Sequence, residues 1–201
     1  MARSWRDART LGVIMIGSRP LTNEEIAAVS KRLSTRDRMF FIIGIKTGFR
    51  VSEILSLKVS DVILPDGGIT NTLSVQRKNM KGQNRGRTVV LHLVAREMID
   101  TWRKQFPLGV NINAHLFESN RGRPMSRMQA WRVLNKAYKS ARLQGKLGTH
   151  AMRKTFANRV YARLKNDLVR TQKALGHVSI ASTISYLSFE ESDVDDAILG
   201  G

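Results

Sequence analysis

Cysteine is absent from the 201 residues of this chain. Its absence excludes disulfide bonds and thiolate chemistry and fits a reducing cytosol. Long apolar runs are missing too, since no stretch approaches the roughly 18 residues that a membrane helix needs. We do not interpret the basic N-terminus, MARSWRDART, as a signal peptide. We therefore expect a cytoplasmic protein that does not enter a membrane.

Histidine is scarce, and the chain has four: His92, His115, His150 and His177. None of them pairs with a carboxylate at the spacing of a metal site. Because cysteine ligands are missing as well, we expect no metal and no other cofactor.

Acidic residues are few compared with basic ones. The chain has 34 lysines and arginines against 16 aspartates and glutamates, a net charge of +18 and an isoelectric point near 11.2. A cytosolic protein this basic usually neutralises a polyanion, and nucleic acid is the common one. Charge alone leaves open a ribosome-associated or merely basic protein.

The acids are also unevenly distributed. Residues 187–201 hold five of them and no lysine or arginine, so residues 1–186 hold the other eleven and all 34 bases, a net charge of +23. The length favours one domain with a full core. We therefore divide the chain into a basic arm or linker at 1–20, a globular domain at 21–186 and an acidic tail at 187–201.

Helical patterns dominate that domain. Thr22 and Glu25 have the spacing of a capping box before an amphipathic helix. The nearly continuous apolar MFFIIGI predicts a core helix at 36–46, which Gly48 ends, and a third helix starts near Val51. Further helices are predicted at 94–105, 126–143, 151–164, 167–175 and 180–187.

Two β-rich segments interrupt the helices, DVILPDGGITNTLSVQ and GRTVVLHL. They surround clusters of glycine and asparagine and predict a small antiparallel sheet. The expected fold class is α+β, mainly helical, with one small antiparallel sheet. This order of elements differs from an alternating βαβ protein.

Arg50 lies at the start of the third predicted helix, where the helix dipole disfavours a cation. A phosphate or a carboxylate must therefore attract it. Glu53, three residues on, lies on the same helix face and can hold the guanidinium. The alternative is an ordinary surface ion pair.

His150 and Arg153, in THAMRKTFANRV, project from one helix face. A guanidinium can bind two phosphate oxygens, and a neighbouring imidazole can move a proton near neutral pH. The alternative is a histidine with a capping or core role.

His177 follows Gly176 at a predicted helix end, and Tyr186 comes nine residues later on another short helix. A phenol, with a reference pKa of about 10, becomes a nucleophile only when cations or a base stabilise the phenolate. Alone, Tyr186 is equally well explained as an amphipathic core residue.

In combination these residues resemble the tyrosine recombinase (phage integrase) family, over roughly residues 20–190. TGFRVSEILSL resembles the family's first arginine box, and LFESNRGRPMS its mid-domain turn. THAMRKTFA is similar to its His-x-x-Arg box, and LGHVSIASTISY to its Leu-Gly-His…Tyr segment. Each box alone is a weak signal, whereas four in register are specific.

The resemblance implies a site-specific recombinase in which Tyr186 attacks a phosphodiester, leaving a 3′-phosphotyrosine and a free 5′-hydroxyl. Arg50, Arg153 and His177 would stabilise charge on the non-bridging oxygens. His150 would assist proton transfer or orientation, and Glu53 would position the cations. Neither metal nor ATP is required.

The family protonates the leaving oxygen with a lysine from a β-hairpin. The segment QRKNMKGQNRGRTVVL offers Lys78 and Lys81, and we favour Lys81 because of its shorter spacing to the following strand. The implied partners are double-stranded DNA, three further copies in a tetramer that resolves a Holliday junction, and accessory DNA-bending proteins. When free, the protein is expected to be a monomer.

The ends of the chain depart from the family pattern. Residues 1–20 are too short for the usual separate DNA-clamping domain, so the chain is either a catalytic-domain fragment or a minimal recombinase like the fimbrial-switch inverting enzymes. YLSFEE replaces a more polar, histidine-bearing segment of many relatives. The tail's apolar residues predict a short amphipathic helix that docks on a neighbouring protomer, or in cis when free. A solubilising, disordered tail is the alternative.

Two other functions remain open at this point. A type IB topoisomerase shares the Arg/Lys/Arg/His/Tyr chemistry but relaxes supercoils as a monomer. A DNA-binding module that has lost catalysis is the other, although the complete candidate residue set argues against it.

Overall fold

The computed structural model describes residues 17–76, 86–106, 109–119 and 122–187. Within them the chain forms these helices and strands: α1 Asn23–Ser30, α2 Thr35–Thr47, α3 Val51–Leu55, β1 Thr72–Val75, β2 Arg87–Val90, α4 Leu93–Arg103, α5 Arg127–Ser140, α6 His150–Arg163, α7 Leu168–Leu175 and α8 Ile180–Ile184. The predicted fold class, mainly helical with one small antiparallel sheet, is confirmed. Lys78, Lys81, most of the expected arm and all but the first residue of the expected tail lie outside the described residues.

The central helix of the fold is α2. Its side chains from Met39 to Ile43 are buried on every face, and an all-round apolar helix needs cover on all sides. Helices α4 and α6 pack against it. A Cβ at Gly44 would lie 2.5 Å from Met152 Sδ, so this glycine lets α6 approach closely. Although α2 is apolar, no helix in the described ranges is long and apolar enough to cross a membrane.

The predicted capping box opens α1. Thr22 Oγ1 accepts the Glu25 N–H at 3.2 Å, and the Glu25 carboxylate accepts the Thr22 N–H at 3.1 Å. Each contact satisfies a backbone donor that the helix leaves unpaired.

Strands β1 and β2 pair antiparallel, with Leu73 opposite Val89 and Val75 opposite Arg87. Leu73 and Val75 are buried. Because side chains alternate along a strand, Arg87 points to the same inner face. The sheet therefore carries an arginine into the core.

The first β-rich segment is less regular than predicted. Residues 59–61 form a 3₁₀ turn, and Ile63 and Ile69 make only an isolated bridge. The reason is the tight turn between them, in which Leu64 N–H donates to the carbonyl of Gly68 at 2.8 Å. This turn leaves too few extended residues for a ladder before β1.

Two helices end at glycines in the left-handed region. Gly48 ends α2 with φ 62°, and Gly176 ends α7 with φ 65°, a conformation that glycine adopts without a Cβ penalty. The predicted ends at both glycines are confirmed. The chain turns sharply after each, and these turns lead to Arg50 and His177.

Helix α8 is shorter than predicted. It ends at Ile184, so Tyr186 lies in the following turn and not on the helix. The Tyr186 N–H donates to the Thr183 carbonyl at 3.0 Å, and the Leu187 N–H to that of Ile184 at 3.0 Å. These tighter i to i+3 contacts replace the α-helical ones at the end of the helix.

Candidate active site

Arg50 and Glu53 form the ion pair that their spacing predicts. Arg50 is the N-cap of α3 and donates from its backbone N–H and its Nη1 to the two carboxylate oxygens of Glu53, both at 2.8 Å. Glu53 is fully buried, whereas 28% of the Arg50 side chain is exposed. The buried carboxylate thus holds the guanidinium at the surface of the site.

Arg153 lies beside them, buried in the first turn of α6. Its Nη1 donates to the carbonyl of Gly48 and its Nη2 to that of Leu175 at 2.9 Å. Its Cζ lies 5.5 Å from the centre of the Tyr186 ring, within cation–π range. Burial, and then repulsion by Arg50, lower the pKa of Arg153 to about 10, so it remains a cation at neutral pH.

His150 begins α6 and contacts Tyr186. Its Nδ1 lies 3.1 Å from the phenol oxygen, a hydrogen bond in which the phenol donates when Nδ1 is unprotonated. The pKa of His150 is lowered by burial first and then by Arg153 and Arg50. The neutral ring is therefore favoured at physiological pH, and it can accept the phenol's proton.

His177 lies just beyond Gly176 and is also close to Tyr186. Its ring centre is 5.2 Å from that of Tyr186, and its Nδ1 lies 3.0 Å from Thr183 Oγ1. Burial, followed by repulsion from Arg153 and Arg50, lowers the pKa of His177 to about 3. Its buried Nε2 has no hydrogen-bond partner among the described residues.

An open cavity of about 590 Å³ lies beside part of this group of side chains. Arg50, His150 and Arg153 line one part of it, and Met128 and Trp131 of α5 line another. The cavity therefore offers space next to the cations for a ligand larger than an ion.

The structure brings together six of the seven side chains that the sequence singled out: Arg50, Glu53, His150, Arg153, His177 and Tyr186. The seventh, Lys81, lies outside the described residues, as does its rival Lys78. In the parts of the chain that the structure describes, no group of three or more histidines, aspartates or glutamates is placed to hold a metal ion.

Sequence reasoning missed Arg87. This side chain is buried in the same cluster, and its Nη2 donates to the carbonyl of Thr47 at 2.7 Å. The available signal was the alternation in RTVV, which places Arg87 and Val89 on one strand face. Charged residues are rarely buried unless they are paired, so an arginine at an inward position of a strand indicates a specific partner.

The cluster carries an excess of positive charge. Among the described residues the three guanidiniums of Arg50, Arg87 and Arg153 face one buried carboxylate, that of Glu53. Such a site attracts a further anion, and a planar guanidinium suits a phosphate. A phenol next to a phosphate-binding cation cluster has the parts needed for nucleophilic attack on phosphorus.

Comparison with known proteins identifies the class. The sequence pattern of the phage integrase family matches residues 21–192, and this chain therefore belongs to that family, the tyrosine recombinases, which are DNA strand-transferring enzymes. The probable integrase/recombinase YoeC of Bacillus subtilis is 32% identical over 184 residues, which cover 89% of this chain and 94% of YoeC.

Other relatives are longer. Tyrosine recombinase XerH of Campylobacter jejuni is 30% identical over 162 residues, 80% of this chain but 43% of XerH. The crystal structure of a XerH site-specific recombinase bound to palindromic difH substrate, a post-cleavage complex, matches with TM-score 0.70 and 25% identity. The match covers 89% of this chain and 51% of the crystallised chain. The crystal structure of XerA recombinase matches with TM-score 0.73 and 24% identity. The match covers 92% of this chain and 66% of the XerA chain and shows the same fold.

Proposed function

We propose that this protein is a site-specific recombinase that cuts and rejoins duplex DNA through a 3′-phosphotyrosine at Tyr186. The observation that carries the proposal is the position of the Tyr186 hydroxyl, 3.1 Å from His150 Nδ1, with the Arg153 guanidinium over the ring. A general base and a stabilising cation thus flank one phenol.

In the first step the Tyr186 oxygen attacks the scissile phosphorus, and its proton passes to the neutral His150. A new P–O bond to tyrosine forms while the bond from phosphorus to the 5′ oxygen breaks. Arg50, Arg153 and the free Nε2 of His177 stabilise the charge that develops on the non-bridging oxygens. Because a donated hydrogen bond from Nε2 needs only the neutral ring, the low pKa of His177 does not prevent this role.

The leaving 5′ oxygen takes a proton from a lysine, for which we propose Lys81. The phosphotyrosine keeps the energy of the broken bond. When the 5′-hydroxyl of another strand attacks it, the strand is resealed and Tyr186 is released without ATP. Two rounds of this exchange, through a Holliday junction, recombine two duplexes.

Duplex DNA is the proposed substrate for two reasons. The chain has a net charge of +18, and a site that binds one phosphate needs further contacts to hold the neighbouring ones. Similar proteins are described with DNA, among them the Tn1549 transposon integrase with transposon right end DNA and a lambda integrase dimer on a COC' core site. We further propose a cytoplasmic protein that is a monomer when free, forms a tetramer on DNA and acts with accessory bending proteins.

The test is capture of the covalent intermediate. The protein is incubated with a pool of duplexes whose core sequence is randomised and which carry a nick near the cleavage position. Because of the nick, a cleaved strand loses its short end and cannot be resealed. Adducts are separated on a denaturing gel and the captured strands are sequenced. We expect a discrete core sequence, and no adduct with Tyr186→Phe.

The matched control is Tyr161→Phe, which removes the same hydroxyl from a tyrosine that packs against the same small hydrophobic cluster as Tyr186. It should form the adduct at the wild-type level. An adduct that persists in Tyr186→Phe would overturn the assignment. Plasmid relaxation without recombinant product would instead indicate a topoisomerase, and binding without any adduct a silent DNA-binding module.

A further inference from the structure

Arg87, the first residue of β2, is buried between parts of the site that are distant in sequence. Its residue surface is 8% exposed, and its Cζ lies 5.0 Å from the Phe49 ring centre and 5.8 Å from that of Phe156. Its Nη2 donates to the carbonyls of Thr47 and Ala174. These carbonyls belong to the last turns of α2 and α7, so one guanidinium connects two helix ends.

Arg153 connects the same two helix ends one residue further along each. It donates to the carbonyls of Gly48 and Leu175, the residues that follow the Thr47 and Ala174 partners of Arg87. The two arginines therefore form a double bridge between the C-terminal turns of α2 and α7.

The helix ends explain why cations occupy these positions. The last carbonyls of a helix lack partners within it and carry the negative end of the helix dipole. Two such ends meet here, and each guanidinium satisfies one carbonyl from each. The bridge matches donors to acceptors that the fold would otherwise bury unpaired.

Yet a charge is a costly residue at this position. Burial, and then repulsion by Arg153, lower the pKa of Arg87 to about 9, while Glu53 acts in the opposite direction. The space between the Phe49 and Phe156 rings suits an apolar side chain, but an apolar residue would leave the Thr47 and Ala174 carbonyls without the donor that Arg87 supplies. What an apolar residue cannot do is hold two carbonyls at a fixed separation.

Each bridged helix end leads directly to a site residue. Beyond Thr47 the chain turns at Gly48 and reaches Arg50, and beyond Ala174 it turns at Gly176 and reaches His177. A Cβ at Gly176 would lie 2.9 Å from Arg87 Cδ, so this turn also rests on the arginine stem.

We propose that Arg87 is a positioning residue, which holds the C-terminal turns of α2 and α7 at the separation that lets Arg50, Arg153 and His177 converge on one phosphate. The inference rests on the proposed function, because the phosphate concerned is the scissile one. Arg87 itself does not touch Tyr186 or the reacting atoms in this account.

The chain offers a matched control in Arg19. This arginine is 7% exposed and likewise bridges distant segments, donating to Glu25 at 2.7 Å and to the Gln144 carbonyl at 2.9 Å. Neither partner is a candidate site residue. Variants of Arg19 therefore report what the loss of a buried arginine bridge costs in stability alone.

The variants are Arg87→Lys and Arg87→Met, each compared with the same change at Arg19. Lysine keeps the charge, but its ammonium ends one bond short of the position of Nη2, the nitrogen that contacts both carbonyls, whereas methionine fills the space without charge or donors. Melting temperature, DNA affinity and the single-turnover cleavage rate at saturating protein are measured well below the lowest melting temperature. Since a misplacement of about 1 Å can cost roughly a hundredfold in rate, we expect a loss of that order for both Arg87 variants, DNA affinity close to wild type, and near wild-type cleavage for the Arg19 variants.

A second substrate separates positioning from general instability. In a methylphosphonate a methyl group replaces one non-bridging oxygen, so the scissile linkage is uncharged and depends less on converging cations. We expect the deficit of the Arg87 variants to shrink severalfold on this substrate, and any deficit of the Arg19 variants to stay the same.

Two results would overturn the proposal. One is cleavage by the Arg87 variants at the rate of the Arg19 variants. The other is unfolding of both Arg87 variants under conditions in which both Arg19 variants stay folded, which would assign Arg87 to the core alone. Failure of the proposed function is distinguishable, because the wild-type protein itself would then form no Tyr186-dependent adduct.

Discussion

The two sides of the candidate site differ in how their residues are held. On the cation side, Arg153 is 1% exposed and both of its terminal nitrogens bond to backbone carbonyls. On the nucleophile side, Tyr186 follows a helix of five residues with exposed apolar side chains at Ile180 and Ile184. The Tyr186 hydroxyl contacts the exposed His150. The proposed phosphate-binding side is thus preformed in the core, while the proposed nucleophile lies at an edge with few buried contacts.

This difference has a functional meaning. Preorganised cations lower the barrier because they need no rearrangement when charge develops. Elements with few buried contacts are the ones that open locally at low cost in free energy. Substitutions on the cation side should therefore slow every cleavage. Substitutions at the edge should instead impair the placement of Tyr186 next to the phosphate.

The largest effect is expected from Arg50→Lys and Arg153→Lys. An ammonium cannot reproduce the two-pronged geometry of a guanidinium, and losing one transition-state contact costs about 10²–10³ in rate. Single-turnover cleavage of the captured core sequence measures this loss. Arg103→Lys is the control, because Arg103 forms a similar i, i+3 pair with Asp100 at 2.8 Å on the surface. Rates within about threefold of wild type for Arg50→Lys and Arg153→Lys would make these arginines structural.

The next largest effect concerns the leaving group. Lys81→Ala should slow cleavage of an ordinary phosphodiester by about a hundredfold, at the lower end of what a general acid contributes. On a substrate with a 5′-bridging sulfur, the same variant should lose much less of its cleavage rate, because the leaving group needs little protonation. Lys78→Ala should mainly weaken binding. The reverse pattern would move the role to Lys78.

A smaller effect is expected from Glu53→Gln. The amide keeps the shape and one acceptor but removes the charge that faces three arginines, so Arg50 should lose its fixed position. We expect about a tenfold loss of cleavage rate, corresponding to about 1.4 kcal/mol, and a lower melting temperature. Asp100→Asn, in the exposed pair, should change neither. Unchanged cleavage with Glu53→Gln would show that this carboxylate does not position the site.

The last prediction concerns the free energy of unfolding and not the cleavage rate: stability should depend on pH. The folded-state pKa of His177 is about 3, below its usual 6.5, so an unfolded chain takes up a proton as the pH falls below 6.5 while the folded chain stays neutral. Stability should therefore fall from pH 6.5 towards 3, by at most about 1.4 kcal/mol per pH unit from this group. Urea unfolding at several pH values measures the slope. His177→Gln should flatten it, and His150→Gln, at an exposed position, should do so much less.

Local rules account for much of what the sequence predicted. The capping box at Thr22, the left-handed ends at Gly48 and Gly176 and the Arg50–Glu53 pair all depend on residues within a few positions of each other, and all are present. The grouping of the distant boxes was predicted from their resemblance to a family and not from physics.

Long-range packing explains what was missed. The carbonyl partners of Arg87 lie 40 and 87 residues away in sequence, so no local pattern reveals why a strand should bury a cation. The end of α8 at Ile184 depends on contacts made after the helix, such as the bond from Asn158 Nδ2 to the Tyr186 carbonyl at 3.1 Å. A sequence pattern reports a tendency to form helix but does not include such tertiary partners.

Whether Tyr186 is the nucleophile is decided by locating the covalent bond itself. The captured adduct is digested with protease and nuclease, and the nucleotide-bearing peptide is identified by mass spectrometry, while the released strand is offered to a polynucleotide kinase. We expect a nucleotide on Tyr186 linked through its 3′-phosphate, and a released 5′-hydroxyl that the kinase labels without prior phosphatase treatment. A nucleotide on Tyr138 or Tyr161, or a released end that already carries a 5′-phosphate, would contradict it.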